Sequence, residues 1–367
     1  MELRLNPLDT LFFRDGKPFT MGEETWADSR MLPNPSVVYG ALRTAIAVVN
    51  NIDFKDIPTL LNDETFKITN TYYKAGGKDF FPLPLDLVCF KEELDKNKTK
   101  RDSYQTNLLE KTSLKSVLSN EKKGFKYLLH PKEFKQAESL ENGVIEFTEL
   151  KNYIKGVNSQ FTAFKISDYI QSEPKIGNGR HDDTRSVLEG SLYRTDMYRY
   201  GYTNDRKTIQ NVEIHCLVDF NAQYSLDKIG DSLVRLGGES KLIKINKMRE
   251  EEGIDNTFKP LPFEKKQFKI YLASPAIFTN NDWKPDLEKL GINATLVAAA
   301  IGKTISIGGY DMVKNEPKTM YRAVPAGSVY YYESEEDVSA ILNQLQGTSL
   351  SDAMPEQGFG IAYFAQF

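Results

Sequence analysis

The sequence predicts an α+β fold made of two tandem ferredoxin-like domains, each an antiparallel sheet covered by helices on one face. Three observations carry that expectation. At 367 residues the chain exceeds what one core usually organises. Short alternating apolar runs recur along it, with helical periods between them. The order strand–helix–strand–strand–helix–strand can be read twice. The first domain is expected over 1–250, with a long insertion at about 92–207, and the second over 260–367.

The elements follow in order. "MELRLNPL" alternates and reads as the first strand, and "FRDGKPF" as a turn, with Asp15 and Gly16 as the turn pair and Pro18 stopping further pairing. "NPSVVYGALRTAIAVVN" reads as a helix with Asn34 as cap and Pro35 at its first position. Val37, Val38, Ala41, Leu42, Ala45, Ile46 and Val49 make one apolar stripe on it. "FKITNTYYK" and "PLDLVCFKE" read as strands. Beyond them the pattern loosens into the insertion, where "KEELDKNKTKRDSYQ" is a charge run suited to a solvated loop. "IEFTELKNYI" and "SLYRTDMYRYGYTN" keep local order within it. "TIQNVEIHCLVDF" resumes as a strand, "SLDKIGDSLVRLGGES" reads as a helix stopped by Gly237 and Gly238, and "KLIKINK" as a strand.

A polar, proline-containing linker, "MREEEGIDNTFKPLPFEKK", leads to the second domain. There "QFKIYLASPAIF" is a strand, "LEKLGINATLVAAAIG" a helix, and "AGSVYYYE" a strand. "SEEDVSAILNQLQG" is a helix with Ser334 and Asp337 as a capping-box variant and Gly347 as its stop. "GIAYFAQF" is the last strand.

Composition excludes several classes. Hydrophobic residues make up 40% of the chain, enough for packed interiors. With 47 basic and 51 acidic residues the net charge is −4, so any nucleic-acid surface must be a local basic face. Cys89 and Cys216 are the two cysteines, far apart and in no metal-ligand spacing, which argues for a reducing, cytoplasmic setting and against a disulfide or zinc framework. The charged N-terminal stretch reads as neither signal peptide nor anchor, and the apolar run "ATLVAAAIG" is about half of what a membrane span needs.

Familiar catalytic and cofactor motifs fail. Gly302, Lys303 and Thr304 resemble the end of a P-loop, but Val297 stands where its first glycine belongs. "GNGRHD" has Asp182 in place of a third glycine, so no dinucleotide fingerprint is present. Neither a G-x-S-x-G elbow nor an H-E-x-x-H zinc motif occurs. No cofactor and no metal is expected. Of the three histidines, His215 lies in an apolar strand and His130 beside Pro131. His181 sits among Lys175, Arg180 and Arg185, where an imidazole beside cations could deprotonate a ribose hydroxyl.

A ferredoxin-like, RRM-like sheet can bind RNA on its uncovered face, through aromatics for bases and cations for phosphates. Arg14, Lys17 and Arg30 flank the first strand and helix, and Arg43 lies off the apolar stripe. Lys175, Arg180, Arg185, Arg194 and Arg199 are interleaved with Tyr193, Tyr198 and Tyr200 in the insertion. Lys303, Lys318 and Arg322 gather in the second half. Gly237 with Gly238, Gly308 with Gly309, and Gly358 and Gly360 around Phe359 mark junctions that can present backbone N–H groups to an anion. If the last pair approaches RNA, Gly358→Val should weaken RNA binding more than it lowers stability.

Several of these stretches together are specific: "NPLDTLFFRDGKPF" with "SVVYGALRTA", "EPKIG" followed by "GSLYRTDMYR", "RLGGES", "PKTMYRAVPAGSVYYYE" and "GFGIAYFAQF". They resemble the RAMP superfamily, and within it the subunit of type III-B CRISPR (Cmr) effector complexes that holds the 5′ tag of the crRNA. The resemblance spans both halves and is weakest over about 92–165. It implies two ferredoxin-like domains with a glycine-rich loop at Gly358 to Gly360, and a non-catalytic scaffold. It implies as partners the crRNA 5′ tag, the large polymerase/cyclase-like subunit and the adjacent RAMP backbone subunit, with no membrane role. It further implies a protruding β-hairpin thumb, which falls around Lys175–Tyr202. The alternative within the superfamily is a metal-independent endoribonuclease that processes repeat RNA, with His181 as general base.

Overall fold

The computed structural model describes the chain except for residues 15–25, 28, 63–64, 97–102, 117–124, 134, 205–206, 221–228, 250–252, 255–257, 259, 264–265, 280–282 and 312–314. It is a mixed α+β protein dominated by antiparallel sheet. Two compact units interleave along the sequence: Met1–Lys67, Ser167–Glu250 and Ser306–Tyr321 form the first, and Ile68–Ile166, Glu251–Ile305 and Arg322–Phe367 the second.

In the first unit, antiparallel strands lie in the order Ser232–Arg235, Leu242–Lys247, Glu2–Pro7, Glu213–Phe220. Strand periodicity explains the burial: Leu3 and Leu5 are fully buried, while Arg4 and Asn6 point to the opposite face. Leu5 pairs with Ile214 on one side and Ile245 on the other, so one apolar layer crosses three strands. The helix Pro35–Val49 buries Val38, Leu42 and Ile46 as the stripe predicts and contacts the strand Ser232–Arg235. Pro35 occupies its first turn, but Asn34 does not cap it; the Asn34 side chain instead accepts a hydrogen bond from Arg30 Nη1 at 3.3 Å. His215 is buried, with Nδ1 2.7 Å from Glu2 and Nε2 3.1 Å from Glu213.

A long hairpin, Ile170–Arg180 with Val187–Thr203, leaves this unit's sheet. Its second strand pairs in parallel with Trp26–Ala27 and bridges Leu11 through Tyr198.

Among the described residues the second unit holds two larger sheets, besides the two-stranded pair Glu110–Ser113 and Tyr127–His130. In one, Phe66–Ala75, which begins two residues before the unit, pairs with Lys78–Pro82, followed by Gly143–Glu146, Gln160–Lys165, Tyr104–Leu108, Leu87–Phe90 and Ala137–Glu138. The other runs Ala294–Ala300, Val329–Ser334, Gln267–Leu272, Ile361–Ala365, Thr348–Ser349, antiparallel throughout. Helix Phe147–Ile154 contacts strands of both. At the core, Asp86 accepts hydrogen bonds from Tyr331 (2.6 Å) and Tyr153 (2.8 Å), with Lys269 Nζ 3.4 Å away. Burial pushes both phenols up and the Lys269 ammonium down, and the two phenols satisfy the carboxylate that the cation neutralises.

Four expectations are corrected. Of the helix expected in "SLDKIGDSLVRLGGES", residues 225–228 lie outside the described residues and Ser232–Arg235 is a strand, because pairing with Leu242–Lys247 gives its backbone partners. "LEKLGINATLVAAAIG" yields only a 3-10 turn, Glu288–Leu290, ended by Gly291 in the left-handed region (φ 72). Ala294–Ala300 then pairs with Val329–Ser334, and sheet pairing overrides the alanines' helix preference. The helix expected from Ser334 begins at Ser339, since Asp337 accepts the Ser339 N–H and Ser334 accepts that of Glu336. The expected charged loop after Phe90 starts as helix Lys91–Lys96, and Tyr104–Leu108, Gly143–Glu146 and Gln160–Lys165 are interior strands of a sheet. Part of the expected insertion is therefore built into a sheet of the second unit.

Candidate nucleic-acid interface

The hairpin and its turn collect five of the sequence-predicted cations: Lys175, Arg180, Arg185, Arg194 and Arg199. Directly opposed residues share a face, so Ile176 with Arg194 and Asn178 with Leu192 stand on one side, and Lys175 with Thr195 and Gly177 with Tyr193 on the other. The side bearing Ile176 is open: Ile176 is 73% exposed and Leu192 58%. On the other side Thr195 and Met197 are buried, and Thr10 Oγ1 donates to Met197 Sδ at 3.3 Å. Tyr193, 44% exposed, lies across Gly177, where a Cβ would stand 2.4 Å from its Cζ. Glycine there leaves room for the ring to lie flat against the strand. Arg180, His181 and Arg185 are exposed at the tip, where the 181–186 turn closes through His181 N–H to Ser186 O (2.9 Å) and Arg185 takes positive φ (54°). Arg194 donates to Asp196 at 2.9 Å. Mixed exposed cations, aliphatic side chains and an aromatic ring suit a strand of nucleic acid better than a protein core.

At the hairpin's base, charge converges on Asp9. Lys241 Nζ donates to its carboxylate at 2.6 Å, Arg199 Nη2 lies 3.8 Å away and Lys175 Nζ 3.9 Å away. Glu173 accepts from Arg199 Nε at 2.5 Å. The Lys241 hydrogen bond holds the Asp9 carboxyl down to about 2, and the Arg199 bond lowers Glu173. Gly237 and Gly238 make this possible. Gly237 has φ 78, a Cβ there would strike the Phe12 carbonyl oxygen at 2.3 Å, and the Gly238 N–H donates to that oxygen at 2.9 Å. The turn thus lies flat on the Phe12 backbone and delivers Lys241 to Asp9. Asp9, Glu173 and Lys241 were not singled out from sequence; the nearest signal is the glycine pair three residues before Lys241.

The loop Gly358, Phe359, Gly360 behaves differently from expectation. All three residues are buried, Phe359 fully. Gly358 (φ 90) abuts Ile68, whose Cγ2 would lie 2.9 Å from a Cβ, and Gly360 (φ 70) abuts Ser351, whose backbone N would lie 2.5 Å away. Their N–H groups donate to Pro355 O at 3.1 Å and Pro275 O at 2.7 Å, and Ser349 donates to Phe359 O at 2.6 Å. The glycines allow close packing, and the Gly358 and Gly360 N–H groups face protein carbonyls.

The other predicted residues are dispersed. Arg30 Nη2 donates to Ser306 O at 2.8 Å, and Arg43 Nη2 to Ile57 O at 3.1 Å, with its guanidinium 5.5 Å from the Tyr39 ring centroid. Both guanidinium groups donate to backbone carbonyls. Arg14 is exposed and bridges Ser29; Lys17 lies outside the described residues. Lys303, Gly309, Lys318 and Arg322 are exposed, Gly308 is half-buried against Met320, and Gly309 O accepts the Lys318 N–H at 2.9 Å. Among the described residues, no cluster of His, Cys, Asp and Glu could hold a metal, and no helix is long and apolar enough to cross a membrane.

The family model described as CRISPR-associated protein (Cas_Cmr3) matches residues 3–366. A chain in the cryo-EM structure of the type III-B Cmr-beta bound to cognate target RNA has the same fold, with TM-score 0.51 and 18% identity over 90% of this chain and 86% of that one. A second, from the complex bound to cognate target RNA and AMPPnP (state 1), gives TM-score 0.52 and 17% identity over 94% and 88%. No curated protein matches the sequence.

Proposed function

The chain belongs to the Cas_Cmr3 family of CRISPR-associated proteins, and from that premise we propose that it is a non-catalytic crRNA-binding scaffold subunit of a type III-B effector complex. In this reading it recognises the 5′ tag of the guide, docks onto the large polymerase/cyclase-like subunit and abuts the adjacent RAMP backbone subunit. The observation that carries it is the hairpin Ile170–Arg180/Val187–Thr203, which bears Ile176, Leu192 and Arg194 on one side, Lys175 and Tyr193 on the other, and exposed Arg180 and Arg185 at its tip. We read that hairpin as the thumb that bends the guide where the tag ends.

The tandem ferredoxin-like description finds support in strand order. Numbered along the chain, Gln267–Leu272, Ala294–Ala300, Val329–Ser334 and Ile361–Ala365 lie in the order 2-3-1-4, the antiparallel ferredoxin-like arrangement. In the first unit Leu242–Lys247, Glu2–Pro7 and Glu213–Phe220 occupy three positions of the same order.

The test is binding of guide RNA with native and scrambled tags in a salt series. Stronger binding of the native tag, weakening steeply with salt, is expected; equal affinity for both would remove tag recognition. The endoribonuclease alternative is separated by incubation with repeat RNA in EDTA. Cleavage that disappears in His181→Ala would replace the scaffold reading.

A further inference from the structure

Around Asp9, three cations are drawn together by a carboxylate that satisfies only one of them. Lys241 hydrogen-bonds it, whereas Arg199 and Lys175, at 3.8 and 3.9 Å, are beyond hydrogen-bond range. The cluster opens to solvent: the Asp9, Arg199, Lys175 and Glu173 side chains are between 40% and 47% exposed. Three cations face the Asp9 and Glu173 carboxylates, and Glu239 also acts on Lys241. Donors converging from two hairpin strands and a separate turn are the geometry that a phosphate oxygen requires, and a carboxylate oxygen is its nearest mimic in a protein.

We propose that Lys175, Arg199 and Lys241 form a subsite for one RNA backbone phosphate, and that Asp9 masks it from within. The inference rests on the RNA-binding reading above and adds its regulation. Asp9 keeps the cations converged before RNA arrives and competes with the phosphodiester for them. The glycine pair is part of the device, because Gly237 seats the turn that brings Lys241 across. Removing the negative charge should therefore improve RNA binding, the opposite of what loss of a mere anchor does.

The experiment compares wild type, Asp9→Asn and Lys241→Gln with a labelled single-stranded RNA oligomer over a salt series, with thermal melting alongside. Asp9→Asn should bind ~3–10-fold more tightly at low salt, and Lys241→Gln should bind more weakly with a salt slope shallower by ~0.7. If Asp9→Asn melts early, the Lys241→Gln slope decides alone. Unchanged or weaker binding by a folded Asp9→Asn, or an unchanged slope in Lys241→Gln, makes the cluster an anchor only and overturns the proposal. A protein that binds RNA but ignores the tag loses the tag reading while these comparisons stand. One that binds no RNA loses both.

Discussion

Two glycine-bearing places in the molecule put the same residue type to opposite use. Around Gly358 and Gly360 the left-handed backbone lets a loop sink against Ile68 and Ser351, and both glycine N–H groups bond to carbonyls of the protein. At the hairpin and its base, Gly177 and Gly237 leave room for Tyr193 and for the Phe12 backbone, and what they position is charged and half-exposed. A glycine pair is thus evidence of close approach, and only burial tells whether the approaching group is the protein's own.

The largest effect expected from this contrast is in the buried loop. Gly358→Val adds backbone strain at φ 90 to overpacking against Ile68, and should destabilise the fold by roughly 2–4 kcal/mol. RNA affinity per folded molecule should hold, the reverse of the ranking that the sequence alone suggests. A normal melting temperature with weakened RNA binding would break the comparison.

Next comes the hairpin. Combined Lys175→Ala, Arg180→Ala and Arg185→Ala should change stability by no more than about 0.5 kcal/mol at each position, because Arg180 and Arg185 are exposed and Lys175 is half-exposed. Guide affinity should fall, and its salt slope should become shallower by ~0.7 for every phosphate that the variant no longer neutralises. Unaltered affinity would move the interface elsewhere.

The smallest effect is at His215. Burial lowers its pKa, but hydrogen bonds to Glu2 and Glu213 outweigh that and leave it above the ordinary 6.5. The ion pairs therefore contribute stability below the unfolded value of 6.5, and that contribution fades as pH rises through the raised folded value. From pH 6.5 upward, wild type should lose melting temperature relative to His215→Gln. Parallel curves would show that the carboxylates contribute nothing through His215, and RNA binding should not follow this titration.

Much of the fold was legible where one periodicity dominated. Leu3 and Leu5 against Arg4 and Asn6 announce a strand, and the stripe through Val38, Leu42 and Ile46 announces a helix. Short apolar runs misled because their partners are distant: Ala294–Ala300 is a strand through pairing with Val329–Ser334, which its alanine-rich composition does not disclose. For the site, the hairpin's cations were visible as an interleaved pattern. The Asp9 cluster was not, since Asp9 and Lys241 lie 232 positions apart and meet only through a glycine-permitted turn.

The most direct measurement is a map of ultraviolet crosslinks from the guide onto this chain in an assembled complex. The account predicts tag crosslinks on the hairpin, at Tyr193 above all, and none at the buried Phe359. Crosslinks at Phe359 with none on the hairpin would contradict it, and no crosslink at all would leave a purely protein-binding adaptor.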